Sequence, residues 1–277
     1  MTNPSEILPG MIFYSYLVTE MKEKVCFWDN HTLILQVSGK LSLEMAAHQI
    51  SMTAGEMMLI GKNQLGTIVK IPLAGENYET IVISLQEDLL RRIALEEKFE
   101  ATGKYIGPPN IMIPSNEYLR GFFQSIIPYS RSMGEILTQE MGILKIKEGV
   151  KLLLHTIPGL RNFLFDFSEP FKIDINKFML ANFRSNVPIQ RFAKLTGRSL
   201  AAFKRDFIKS FGMSPRQWLL DKRLTEAKYL IETKHQKPTA IYLDLGFETL
   251  SHFSYSFKKK FGKSPTDLLN YSLLRKD

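Results

Sequence analysis

Between residues 10 and 85 the apolar positions come in short runs. MIFYSYLVTE, HTLILQVSGKLSLEM, QISMTAGEMMLIG and YETIVISL are rich in β-branched and aromatic residues, the composition of strands. Asn30, Gly39, Gly55, Gly61, Gly66 and Gly75 punctuate them, as turns require. Regular short strands predict an antiparallel sandwich or barrel. After Gln86 the period lengthens. EDLLRRIALEEKF predicts a short helix, and the Gly/Pro-rich TGKYIGPPN follows it. Residues 115–131 and 135–155 predict two amphipathic helices. In the second, Ile136, Leu137, Met141, Leu144, Val150, Leu153 and Leu154 recur at helical spacings. Such a pair either forms a dimer interface or covers the open side of the barrel. The run DFSEPF, from Asp166 to Phe171, marks a boundary, and beyond it no segment reads as a strand.

The last hundred residues repeat themselves. FKRDFIKSFGMSP from Phe203 and FSYSFKKKFGKSP from Phe253 match at a constant offset of 50 residues. Phe203, Phe207, Phe211, Gly212, Ser214 and Pro215 correspond to Phe253, Phe257, Phe261, Gly262, Ser264 and Pro265. Six coincidences in 13 positions mark a duplicated unit. Phenylalanines four residues apart share one helix face, so each trio packs a helix onto a small core. Each glycine stands where a helix ends in a left-handed residue. Each Ser-Pro then starts the next helix, serine as N-cap and proline at the first position. Upstream, IQRFAKLTGRS turns Ile189, Phe192 and Ala193 inward, with Gly197 at a sharp turn and Ser199 capping the next helix. TAIYLDLGFETLS does the same with Ile241, Leu245 and Gly246. Two helices joined by a short glycine-containing turn describe a helix-turn-helix. Trp218, Leu219, Arg223, Leu224, Ala227 and Leu230 lie on a long helix between the copies, which would hold them at a fixed separation.

Charge sharpens this picture. The chain of 277 residues carries +8, but from Phe171 onward 21 Lys and Arg face 9 Asp and Glu, whereas residues 1–170 carry 15 against 19. A +12 half beside a −4 half points to a polyanionic partner for the C-terminal part. The length suits about two domains of ~150 residues each. No apolar run reaches the ~18 residues that a membrane helix needs. MTNPSEILPG has no signal-peptide pattern, and the single Cys26 fits a reducing cytoplasm. The five histidines, His31, His48, His155, His235 and His252, are scattered with no His-x-His pair, so no metal site and no cofactor is expected. No P-loop or dinucleotide fingerprint is present.

These motifs resemble the AraC/XylS family of regulators. The resemblance spans about residues 172–270: A-K-L-T-G-R-S from Ala193, F-K-R-D-F from Phe203, F-G-M-S-P from Phe211, R-L-T-E-A from Arg223, L-G-F-E-T-L-S-H-F from Leu245 and F-K-K-K-F-G-K-S-P from Phe257. Two departures are Tyr242, where the family favours alanine, and Arg198, where it often has a hydrophobic residue. Leu33-Ile-Leu-Gln-Val-Ser-Gly39 and Ala54-Gly55-Glu56 are similar to the family's cupin-like β domain, with alanine replacing the proline of a Pro-Gly turn. The stretch from Lys145 to Phe183 resembles a subgroup typified by activators of type III secretion, in which a protein partner can bind the N-terminal domain.

The resemblance implies an α+β chain in three parts: a cupin-like β regulatory domain over 1–110, a helical dimerisation and linker segment over 111–170, and a double helix-turn-helix DNA-binding domain over 171–277. It implies a sequence-specific transcription regulator, an activator, acting on promoter DNA with RNA polymerase as a homodimer in the cytoplasm. A small effector or a regulatory protein would act at the N-terminal domain. The alternative is a cupin-type enzyme of small molecules fused to a DNA-binding domain. Phe13, Tyr14, Phe27, Trp28, Met57 and Met58 are large enough to fill the barrel.

A helix-turn-helix lays its second helix in the major groove. In the first unit the expected contacts are Arg198, Ser199, Ala201, Ala202, Lys204, Arg205 and Lys209. Arg205 is the expected base reader, since a guanidinium pairs bidentately with a guanine edge. In the second unit they are Thr249, Leu250, Ser251, His252, Ser254, Tyr255, Lys258 and Lys259, with the lysines, Lys260 among them, suited to phosphates. Two such helices on one monomer would enter successive grooves ~34 Å apart.

Overall fold

The computed structural model describes residues 5–22, 26–45, 49–131, 138–167 and 172–274. Ile136, Leu137 and most of the DFSEPF boundary lie outside them. The chain is α+β and forms two compact units, Met1–Ser168 and Glu169–Asp277.

The first unit contains β1 (Ser5–Leu8), β2 (Ile12–Leu17), β3 (Met21–Lys22), β4 (Cys26–Trp28), β5 (His31–Ser38), β6 (Lys40–Glu44), β7 (Gln49–Thr53), β8 (Met57–Ile60), β9 (Gln64–Ile71) and β10 (Tyr78–Leu85). After these come α1 (Glu87–Glu97), β11 (Asn110–Ile113), α2 (Glu117–Gln124), α3 (Ile127–Arg131), α4 (Gln139–Thr156) and α5 (Leu160–Leu164). All paired strands run antiparallel. One sheet has the order β1-β2-β10-β5-β8-β11, the other β3-β9-β6-β7 with β4 also on β9.

Register explains why the central strands read as continuous apolar runs. Leu33 faces Leu59 and Ile83 across the ladders, while the next position, Ile34, faces Met58 and Val82. Successive side chains point to opposite faces, and here both faces are covered. Leu33, Leu59 and Ile83 join a core with α1, α2, α4 and α5 through Leu90, Phe122, Val150 and Leu164. Ile34 and Met58 join a second core with Trp28, Leu41, Leu43, Met52, Ile60 and Tyr78, lying between the two sheets. Of the large residues expected to fill this space, Trp28 and Met58 do so. Tyr14 and Met57 instead belong to the helix-covered core, one residue out of phase, and Phe13 and Phe27 are only half-buried.

Two sequence expectations change here. Gly66 is no turn. It lies inside β9, where a Cβ would sit 3.1 Å from the Trp28 ring and 3.0 Å from the Glu44 carbonyl, so glycine lets the strand close under the indole. In α4 the buried face is Gly142, Ile146, Gly149, Val150 and Leu153, while Met141 and Leu144 are exposed. A Cβ at Gly149 would meet the Phe122 ring at 2.8 Å. Close approach of α4 to α2 therefore selects the glycine face over the one that Met141 and Leu144 suggested.

The second unit is helical among its described residues: α6 (Ile175–Asn182), α7 (Ile189–Leu195), α8 (Leu200–Phe211), α9 (Pro215–Lys234), α10 (Pro238–Ile241), α11 (Leu250–Phe261) and α12 (Pro265–Leu274). Helices α7 and α8 form the first helix-turn-helix. The first helix of the second helix-turn-helix is the single turn α10, followed by turns to Gly246, and Tyr242 packs half-buried at the edge of that core. The 20-residue α9 runs about 30 Å at 1.5 Å per residue.

Candidate nucleic-acid interface

Each recognition helix is fixed by the same local chemistry. Ser199 caps α8 by accepting from the Ala202 amide at 3.3 Å, and Thr249 caps α11 by accepting from His252 at 3.2 Å. Phe203, Phe207, Phe253 and Phe257 are fully buried. Phe211 stacks on Phe207 with centroids 4.4 Å apart and lies 4.7 Å from Trp218, so the aromatics are core and the helices are held by one face. Gly212 and Gly262 end the helices at φ +72° and +76°. Ser214 starts α9 with a full capping box on Gln217, and Ser264 and Asp267 exchange the equivalent bonds at α12.

With that face buried, the rest of α8 looks outward. Ser199, Ala201, Lys204, Arg205 and Lys209 are exposed and Ala202 is half-exposed. The Arg205 side chain keeps 79% of its surface, and among the described residues its ion-pair neighbour is Asp206 at 3.7 Å. A guanidinium so placed is available to a partner. Lys204 also borders a groove of about 350 Å³ with Ile189, Gln190, Ile208 and Arg216. Arg216 was not singled out from sequence, because nothing local says that the start of α9 comes back beside α8.

Arg198 is turned inward, contrary to expectation. Its Nε donates to Asp206 at 3.1 Å, and its Nη1 to the carbonyls of Thr196 and Ile173 at 2.6 and 2.9 Å. Its side chain is only 11% exposed. The hydrogen bond from Arg198 holds the Asp206 carboxyl below its usual pKa. Arg198 therefore fastens the turn to α8, which leaves little of its side chain to reach a partner.

On α11, Thr249, Ser251, His252, Tyr255, Lys258 and Lys259 are exposed and Ser254 is half-buried. Tyr255 keeps 68% of its surface. His252 leans on the Phe247 ring with centroids 5.8 Å apart. Leu250 packs against the local core, so its side chain belongs to the fold and leaves the outward face. Lys260 also departs from expectation. Its ammonium donates to the Asp221 carboxylate, the Asp221 carbonyl and the Thr225 hydroxyl, tying α11 to α9.

Two helix-turn-helix folds, each presenting an outward basic helix from a +12 half-chain, define a double helix-turn-helix DNA-binding domain. The comparisons agree. Residues 192–271 match a helix-turn-helix domain family, and residues 31–163 match the ExsA N-terminal regulatory domain. In these two stretches the chain is similar to AraC-type regulators, its N-terminal part to the regulatory domain of ExsA. It is 30% identical over 92 residues to the virulence regulon transcriptional activator VirF of Yersinia enterocolitica, 33% of this chain and 34% of that protein. It is 26% identical over 142 residues to the transcriptional regulator ExsA of Pseudomonas aeruginosa, 49% and 51% of the two chains. The chain thus spans about a third to a half of these relatives' lengths. A solved structure of ToxT from Vibrio cholerae aligns over 94% of this chain and 98% of its own at 15% identity, with TM-score 0.41.

Among the described residues no helix is long and apolar enough to cross a membrane, and no group of three His, Cys, Asp or Glu could hold a metal ion.

Proposed function

We propose that the protein is a sequence-specific transcription activator that grips promoter DNA with α8 and α11. The observation that carries this reading is the exposed face of α8. Ser199, Ala201, Ala202, Lys204, Arg205 and Lys209 border it, with Arg205 free to reach a base edge. Thr249, Ser251, His252, Ser254, Tyr255, Lys258 and Lys259 form the second contact, weighted towards phosphate because its cations are lysines. Arg216 joins the set as a neighbour of Lys204. The protein works on DNA beside RNA polymerase, in the bacterial cytoplasm, and as a homodimer; the exposed Met141 and Leu144 of α4 are apolar surface suited to self-association. A regulatory protein controls the N-terminal half in this reading, because Trp28, Met58 and Tyr78 occupy the space between the sheets that a small effector would need. Catalysis by the β unit is not part of it.

The test is selection of duplexes from a random pool by the full chain, followed by binding of the selected sequence against scrambled DNA. A specific-to-nonspecific ratio of ~10³ or more supports the reading; a ratio near one would reduce the protein to an architectural binder.

A further inference from the structure

Arg223 stands near the middle of α9, the helix joining the two helix-turn-helix units. It is largely buried, and burial alone lowers its pKa to about 10. A buried guanidinium normally meets a carboxylate. This one meets three backbone carbonyls. Nε donates to Phe183 at 2.7 Å, Nη2 to Ser185 at 2.9 Å and Nη1 to Gly246 at 2.9 Å. Phe183 and Ser185 belong to the segment leading into α7, the start of the first unit. Gly246 is the turn of the second unit, between α10 and α11.

The three carbonyls come from two elements that α9 alone would leave free to swivel at its ends. Other contacts converge on the same seam. Gly246 lies at φ +82°, and a Cβ there would sit 2.5 Å from the Arg184 carbonyl and 2.8 Å from the Arg223 guanidinium carbon. Arg184 pairs with Glu226 of α9 at 2.5 Å. Asn186 donates to Glu248, two residues past the glycine, at 3.3 Å. Residues 183–186 thus lie against both α9 and the second turn, and Arg223 is the side chain that bonds Phe183 and Ser185 on one side and Gly246 on the other.

We infer that Arg223 is a positioning residue for two-groove binding: it locks the segment entering the first helix-turn-helix to the turn of the second, so that α8 and α11 are presented at one fixed spacing. The inference rests on the DNA-binding reading above and goes beyond it. The energetic logic lies in geometry. A planar fork satisfies carbonyls from separate directions at once, whereas an ammonium is a compact point donor on a flexible stem. Arg223→Lys keeps the charge and loses the fork.

The experiment has two arms on the full-length protein. In the first, wild type and Arg223→Lys are titrated on the selected duplex and on the same duplex with one half-site scrambled. Wild type should gain about tenfold or more from the second half-site, and Arg223→Lys should lose most of that gain while holding a single half-site within about threefold. In the second arm, spin labels at Lys209→Cys and Lys259→Cys, with Cys26 replaced by Ser, report the α8–α11 distance without DNA. Wild type should give one narrow distribution and Arg223→Lys a broad one. A variant that melts earlier but keeps a narrow distance and the full two-site gain would make Arg223 merely structural and overturn the inference. If Arg223→Lys does not fold, Gly246→Ala displaces the fork instead, since its Cβ would meet the Arg223 guanidinium carbon at 2.8 Å; an unchanged distance and gain there overturn it equally. Wild type without sequence preference would sink the DNA reading instead, and the distance arm would still decide whether Arg223 couples the two units.

Discussion

Two arginines seven residues apart illustrate how position in the tertiary structure assigns work. Arg205 sits on the outward face of α8 with 79% of its side chain exposed, while Arg198 is fastened to Asp206, Thr196 and Ile173. Arg205→Ala should weaken binding to the selected site by about 1–3 kcal/mol and relax preference at one base pair. Arg198→Ala should lower the melting temperature and leave the salt dependence of binding unchanged. Titration of both variants on matched and single-mismatch duplexes checks this; an equal loss on every sequence would make Arg205 a phosphate contact. A third residue yields a pH dependence. His31 begins β5, packed 4.6 Å from the Phe163 ring. Burial, helped by the nearby Lys62, lowers its pKa from 6.5 to about 3. The folded state therefore holds a neutral ring while the unfolded chain takes up a proton below 6.5. This contribution to stability is complete above that pH and is lost as pH falls towards about 3, by up to ~1.4 kcal/mol per pH unit. Chemical denaturation at stepped pH should show a shallower acid dependence in His31→Gln than in wild type.

At the scale of elements, the duplicated helices depend on their ends. Gly212 and Gly262 lie in the left-handed region with open space where a Cβ would go, so an alanine there suffers backbone strain and no collision. Gly262→Ala should cost about 1–2 kcal/mol, read by thermal unfolding, with α11 affected and DNA contacts untouched in kind. A neutral result would mean that the turn after α11 can be rebuilt in another conformation. The twin Phe-Gly-Ser-Pro runs made α8, α9, α11 and α12 legible, because α8 and α11 each have a cap, a glycine stop and a four-residue aromatic spacing, and α9 and α12 each start at a Ser-Pro cap. Helix α10 was less legible. It is a single turn, too short for periodicity to define its end. Strands β9 and β11 escaped notice for a different reason: Gly66 looked like punctuation, and Asn110–Ile113 is only four residues long beside a Pro-Pro pair.

For the whole molecule, charge partition is the property with the widest consequence. In the proposed reading, a −4 half and a +12 half mean that affinity for DNA arises from the C-terminal part and falls with salt. Each neutralised phosphate contributes about 0.9 to the slope of log K against log salt. Lys258→Ala with Lys259→Ala should therefore flatten the slope by about 2 across all sequences while leaving the preferred site unchanged. A loss confined to the preferred site would move those lysines from phosphates to bases.

Sequence by itself determined the repeat, the caps, the buried phenylalanines and the outward basic helices, since these depend on spacings of three, four and fifty residues along the chain. Only tertiary structure decided that Arg198 turns inward, that Lys260 ties α11 to α9, that Leu250 packs, that Met57 and Met58 serve different cores and that Arg223 gathers three distant carbonyls. Spacing states which side chains share a face. Which face is covered, and by what, depends on neighbours far away in sequence, and burial is what turns a charge from a surface contact into an internal one.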